Sequence, residues 1–230
     1  MSRTFFDNRR RVPSKRKHDY RDTDPDSYLI LTEGTQTEPG YFNGLKKYID
    51  DMVNRGQLAI RPVIDCKGEG RGTSRLLQIA ERYVDRGRRN YQHVWLVFDR
   101  DNFTDFDVAI ECAKEKGYGV AWSNACFEVW LCLHRQYYET EAVPDEWSIR
   151  LRNAMRSELS AKNAQKTDEA QNLFPLLSAD GGLQKAVKNA RKLDETYEDY
   201  VRPSQRNPCT KVYELILELK PYLKELLPEE

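Results

Sequence analysis

Residues 93–101 read His93-Val94-Trp95-Leu96-Val97-Phe98-Asp99-Arg100-Asp101. An unbroken apolar run from Val94 to Phe98 that closes on acids describes a strand buried on both faces, as in a parallel sheet. Open α/β sheets place their ligands at the carboxyl ends of such strands. Asp99 and Asp101, one residue apart at that edge, are suited to seat a hard divalent cation. They suit equally well a turn that caps the next helix. Either role satisfies this stretch taken alone.

Outward from it, the same grammar repeats. Tyr28 to Thr32 (YLILT) is a second apolar run, ended by Glu33-Gly34. Thr35 to Glu38 gives T-Q-T-E, a capping-box pattern, with Thr37 as a rival cap and Pro39 near the first helical position. Tyr41, Phe42, Leu45, Tyr48, Ile49, Met52 and Val53 then recur at helical spacing, up to Asn54-Arg55-Gly56. Leu58 to Cys66 reads as a strand that Pro62 confines to an edge or a bulge. A helix capped by Thr73 or Ser74 runs to about Gly87 and leads into residues 93–101. A helix over 103–116 and a strand at Tyr118 to Trp122 follow. This alternation predicts an α/β fold with a mostly parallel sheet of about four strands flanked by helices. From Ala125 the chain turns helical: an apolar helix holding Glu128, a charged and weakly patterned stretch from Trp147 to Gln171, a break at Gly181-Gly182, a helix from Leu183 to Tyr200, and a last helix capped by Thr210. The division expected is a basic arm over 1–26, an α/β core over 27–135, and a helical region over 136–230 packed on that core.

Lys plus Arg and Asp plus Glu number 37 each in 230 residues, so net charge indicates no partner. Its distribution is more telling. The first 22 residues hold Arg3, Arg9, Arg10, Arg11, Lys15, Arg16, Lys17 and Arg21 against three acids. This arm could touch phosphate backbones or simply be solvated. No signal-peptide core and no span of transmembrane length is visible, so a cytoplasmic protein without membrane contact is expected. The five cysteines form no C-x-x-C pair, which argues against zinc and redox motifs.

Glu33 ends the first strand, and Asp99 and Asp101 end the third. If those strands are neighbours, three carboxylates share one edge, and Glu128 at the start of the helix after the fourth strand can face the same mouth. Buried acids call for a partner, and a bound cation or a salt bridge to arginine would each serve. A strand closing in Glu-Gly, a later Asp-x-Asp and the α/β alternation between them resemble the TOPRIM catalytic domain. LILTEGTQTEPGYF, VFDRD, WSNACFEVWLCLH and NPCTKVYELI, in this order, are similar to the RloB family, proteins regarded as TOPRIM-like and associated with restriction-modification and anti-phage loci. The resemblance runs from about Tyr28 to the terminal helix. It implies metal-dependent phosphoryl transfer, most simply cleavage of RNA (tRNA included) or DNA in phage defence, with one or two Mg²⁺ or Mn²⁺ ions. Glu33 then matches the TOPRIM glutamate, a general acid/base or second metal ligand. Asp99 and Asp101 match its metal pair, and Glu128 is a fourth candidate ligand. An ABC-type ATPase is the partner the family association suggests. The competing expectation is a non-catalytic nucleic-acid-binding or regulatory subunit of a defence complex.

The loop KGEGRGTS lacks the Walker pattern. Gly72, Thr73 and Ser74 at a helix N-terminus could cradle a phosphate, with Lys67, Arg71 and Arg75 supplying charge, or form an ordinary strand-to-helix loop. Arg100 could meet a phosphate or neutralise a neighbouring acid. His93, His134, Tyr41, Phe42, Phe127, Trp122 and Trp130 read as packing residues.

Overall fold

The computed structural model of the chain describes residues 25–70, 72–86, 90–100, 105–155 and 166–228. Most of the basic arm, together with Arg71 and Asp101, lies outside them. A five-stranded sheet has the order β2-β1-β3-β4-β5. Its strands are β1 (Ser27–Thr32), β2 (Val63–Gly68), β3 (His93–Asp99), β4 (Gly119–Asn124) and β5 (Cys209–Thr210). The first four are parallel to their neighbours, and β5 runs antiparallel to β4. The run Val94–Phe98 is buried throughout, as its composition requires. Truncating such a residue, Leu96→Ala for instance, costs about 2–5 kcal/mol.

Strand alternation splits the core between two faces. Tyr28, Ile30, Trp95, Val97 and Ala121 share one apolar cluster with Tyr41, Phe42, Leu45 and Ile49 of α1 (Thr37–Asn54). Leu29, Leu31, Val94, Leu96, Phe98 and Trp122 pack instead with Leu76 and Ala80 of α2 (Thr73–Arg86), and with Phe106, Ile110 and Ala113 of α3 (Phe106–Glu115). The chain leaves β1 for β2 on one side, whereas β3 pairs with β1 on the other. The reversal of strand order therefore falls between β1 and β3, the place where such sheets open a crevice.

The first cluster continues into the helical region: α4 (Glu128–Leu133), α5 (Pro144–Ala154), α6 (Lys166–Ser178), α7 (Gly182–Asp194) and α8 (Val212–Glu218). Several boundaries differ from those expected. Pro62 delays β2 until Val63, and the strand then absorbs Lys67 and Gly68; it is an edge strand, as a proline-led strand should be. The helix expected over Leu183–Tyr200 ends at Asp194, whose side chain is held by the segment that follows. Thr210 lies in β5, yet its hydroxyl still accepts the Val212 N–H at 3.3 Å and so starts α8. The fifth strand is only two residues long, too short to carry an alternation pattern. Among the described residues, no helix is long and apolar enough to cross a membrane.

Candidate metal centre

Glu33 is the first residue after β1. Its N–H donates to the Val97 carbonyl at 2.9 Å, so the pairing of β1 with β3 extends past the strand and fixes Glu33 beside the end of β3. The Thr32 hydroxyl donates to the Gly34 carbonyl at 2.8 Å and turns the chain there. A Cβ on Gly34 would run into the carboxylate of Glu38, which packs back from the first turn of α1 over the strand exit and would have to move aside. Glu38 is only 8% exposed. The expected capping box therefore does not form: α1 begins at Thr37 behind Gln36, which makes no side-chain cap bond, and the Glu38 carboxylate joins the mouth of the sheet.

Asp99 closes β3. Its Oδ2 accepts the Phe127 N–H at 3.0 Å, tying the strand to the residue that precedes α4 and Glu128. Its Oδ1 is buried with no hydrogen-bond partner among the described residues. Burial raises the Asp99 pKa well above the usual carboxylate range, and Glu38, Glu128 and Glu33 raise it further against the opposing Phe127 N–H. The described side chains that act on it most strongly through charge, Glu38, Glu128 and Glu33, are acids. A buried carboxylate in acidic company either takes a proton or shares a cation. Cys126 is buried beside the same acids; burial first, then Glu128 and Asp99, keep its thiol protonated, so it offers no thiolate. The donors are thus carboxylate oxygens, the set suited to Mg²⁺ or Mn²⁺. No three of the described His, Cys, Asp and Glu side chains form a ready-made ligand group. Charge from Glu33 and Glu128, both expected here, and from Glu38, which was not, reaches Asp99, while Asp101 lies outside the described residues.

The expected phosphate residues are more dispersed. The Gly72 carbonyl accepts the N–H groups of Arg75 (2.9 Å) and Leu76 (3.1 Å), so Gly72 precedes the helix that Thr73 and Ser74 begin, whereas Thr73 or Ser74 was the expected cap. Thr73 is buried, and the Ser74 hydroxyl donates to Asp105 at the start of α3. Arg75 is exposed and bonds Gln78 at 3.1 Å. The Lys67 ammonium sits 4.2 Å over the Tyr83 ring, toward α2. Arg100 is exposed, and its N–H donates to the Ser123 carbonyl at 2.8 Å.

The C-terminal segment frames the other side of the mouth. Asn124 at the end of β4 donates to the carbonyls of Pro203 (3.3 Å) and Ser204 (3.1 Å), and Ser204 in turn bonds Asp107 of α3. Thr210 of β5 meets the Ser123 hydroxyl at 2.9 Å, one strand away from Asp99. Neither contact carries a local sequence signal, because each joins residues at least 79 positions apart.

No curated protein and no solved structure matches the chain. The model of the RloB-like protein family matches residues 28–219, which run from β1 past the end of α8 and take in the acid cluster and the strap that frames it. The chain belongs to the RloB-like protein family.

Proposed function

We propose that the protein is a Mg²⁺- or Mn²⁺-dependent nuclease that hydrolyses phosphodiester bonds of RNA, tRNA included, or of DNA. The observation that carries this proposal is the Asp99 carboxylate at the switch point of a parallel sheet, its Oδ1 buried without a hydrogen-bond partner among the described residues and the acids Glu33, Glu38 and Glu128 acting on it. Glu33, Asp99, Glu128 and Glu38 would hold the metal, with Asp101 from the adjoining residues. A bound divalent ion supplies polarisation of a phosphoryl oxygen and a water of lowered pKa. The chain's own contribution is placement. The Phe127 N–H fixes one Asp99 oxygen, and Glu33, held beside the end of β3 by its bond to the Val97 carbonyl, would serve as proton donor and acceptor for the attacking water and the leaving oxygen. A cytoplasmic role in phage defence under control of a partner ATPase rests on the family resemblance.

The test is cleavage of RNA, tRNA and DNA with Mg²⁺ or Mn²⁺, alone and with a co-expressed ATPase, by wild type and by Asp99→Ala/Asp101→Ala. Cleavage confined to the wild type is expected; identical behaviour in every assay and in phage challenge would defeat the proposal. Metal binding that is lost in Glu33→Gln, with no substrate cut by the wild type, would point to a non-catalytic subunit instead.

A further inference from the structure

A pocket of about 360 Å³ opens beyond the C-terminal end of α4, lined by Arg135, Gln136, Tyr138, Arg150, Asn153 and Ala154. None of these described lining residues is acidic, although the chain as a whole balances its charges. Both guanidinium groups are held in place. Arg150 lies 4.4 Å over the Trp147 ring and 5.2 Å over Tyr138, and donates to the Thr140 carbonyl at 3.3 Å. Arg135 donates to the Leu176 carbonyl at 3.0 Å, near the end of α6. Among the described residues Arg150 makes no ion pair, and a guanidinium carries five N–H donors in a planar fork that matches phosphate. Gln136, Asn153 and Tyr138 add neutral donors.

The position is as informative as the composition. Glu128 opens α4 and Cys132 lies near its end, and just past Leu133 the Gln136 N–H still bonds the Cys132 carbonyl at 3.1 Å, so the pocket follows directly on the helix that Glu128 begins. The helix between them, α4, has six residues, roughly 9 Å at ~1.5 Å per residue, with Glu128 at its start and Arg135 two residues past its end. The Cys132 thiol, pushed up to about 12 mainly by burial, is acted on by Glu128 in one direction and by Arg150 in the other.

We propose that this pocket binds a phosphate group, that of a single nucleic-acid strand whose neighbouring bonds lie at the acid cluster; the role of the strand rests on the nuclease reading. A free nucleotide carries the same group, and the experiment separates the two. Binding of labelled 12-nucleotide RNA and DNA is measured by anisotropy in EDTA for wild type, Arg150→Met and Asn153→Asp. The methionine keeps an aliphatic stem against Trp147, and Asn153 is exposed, so melting temperatures serve as the folding control. Each variant is expected to weaken strand binding at least five-fold. The slope of log K against log salt should become shallower by about 0.7 in Arg150→Met. Calorimetry with a nucleoside 5′-monophosphate forms the second arm. Its binding to wild type and loss in both variants, with strand affinity unchanged, would assign the pocket to a free nucleotide. Equal binding of both probes by all three proteins, or by none, overturns the proposal. Variant-sensitive strand binding without any metal-dependent cleavage would remove the nuclease reading and leave the pocket standing.

Discussion

Two buried groups of charges in this molecule are built on opposite terms. At the end of α7, Asp194 accepts hydrogen bonds from Lys211 at 2.6 Å, Tyr213 at 2.9 Å and Arg206 at 3.2 Å, and Lys211 also reaches Glu214 at 2.9 Å. Burial alone would raise the Asp194 pKa, but Lys211, Tyr213 and Arg206 outweigh it and hold the carboxyl below its ordinary value. At the carboxyl edge of the sheet the Asp99 Oδ1 is likewise enclosed, yet the described side chains that act most strongly on it through charge are the acids Glu38, Glu128 and Glu33, and its pKa moves the other way. Compensated charge holds the strap to the helix. Acids close to a buried carboxylate raise the energy of its charged form, a cost that a proton offsets and that a bound cation would also offset.

The largest effect that would break this contrast is expected at the compensated group. Asp194→Ala leaves the partly buried Lys211 with Glu214 alone and Arg206 with backbone carbonyls, and should lower stability by about 2–3 kcal/mol in urea unfolding. Gly34→Ala comes next. Its methyl group displaces the Glu38 carboxylate, so a loss of about 1–3 kcal/mol is expected, together with weaker Mn²⁺ binding by calorimetry. Asp99→Asn should act in the opposite sense. The raised pKa means that the folded protein holds a proton which the unfolded chain has lost, so stability falls as pH rises above the ordinary carboxylate range. In EDTA at neutral pH, the amide variant should therefore be more stable than wild type by about 1 kcal/mol. Mn²⁺ should raise the melting temperature of wild type and leave that of the variant unchanged. A less stable Asp99→Asn protein would show that the two groups are not opposites after all.

An effect confined to acid pH concerns His134, buried between Tyr41 (3.1 Å) and the Trp130 carbonyl (3.1 Å). Burial lowers its pKa from 6.5 to about 3. The neutral ring is what folding favours, so this contribution is complete above pH 6.5 and is lost as pH falls from there toward 3, by up to about 1.4 kcal/mol per pH unit. Melting curves of wild type and His134→Gln should converge on acidification and keep their full separation above neutral pH.

The strands were legible because burial on both faces writes itself as apolar runs: YLILT and VWLVF mark β1 and β3 without help from the rest of the chain. Their acids were legible for the same reason, since Glu33 and Asp99 stand where those runs stop. Glu38 was not, because T-Q-T-E describes a capping box as well as it describes a carboxylate over a neighbouring glycine; only the start of α1 at Thr37 separates the two. Asp194 and Lys211, 17 residues apart, meet through a loop whose path no local pattern encodes. The Arg135–Arg150 pocket joins the residues just past α4 to α5, and of its lining only Arg150, Asn153 and Ala154 fall in the stretch whose charges showed no period. Contacts of this kind are set by how helices pack, not by any periodicity along one of them.

The strap that ends in β5 also bears on the order in which the site is completed during synthesis. Cys209 and Thr210 pair only with Asn124 and Ser123, the last residues of β4 and the ones nearest Asp99. A growing chain that has not yet delivered Lys211 can form β1 to β4 and bring Glu33 beside Asp99, but it leaves that flank of the mouth open to water and without its lock on α7. The acids come together early, and the wall beside them is among the last parts to be made. A fragment cut short before Asn207 would carry every candidate ligand and still lack the closed site.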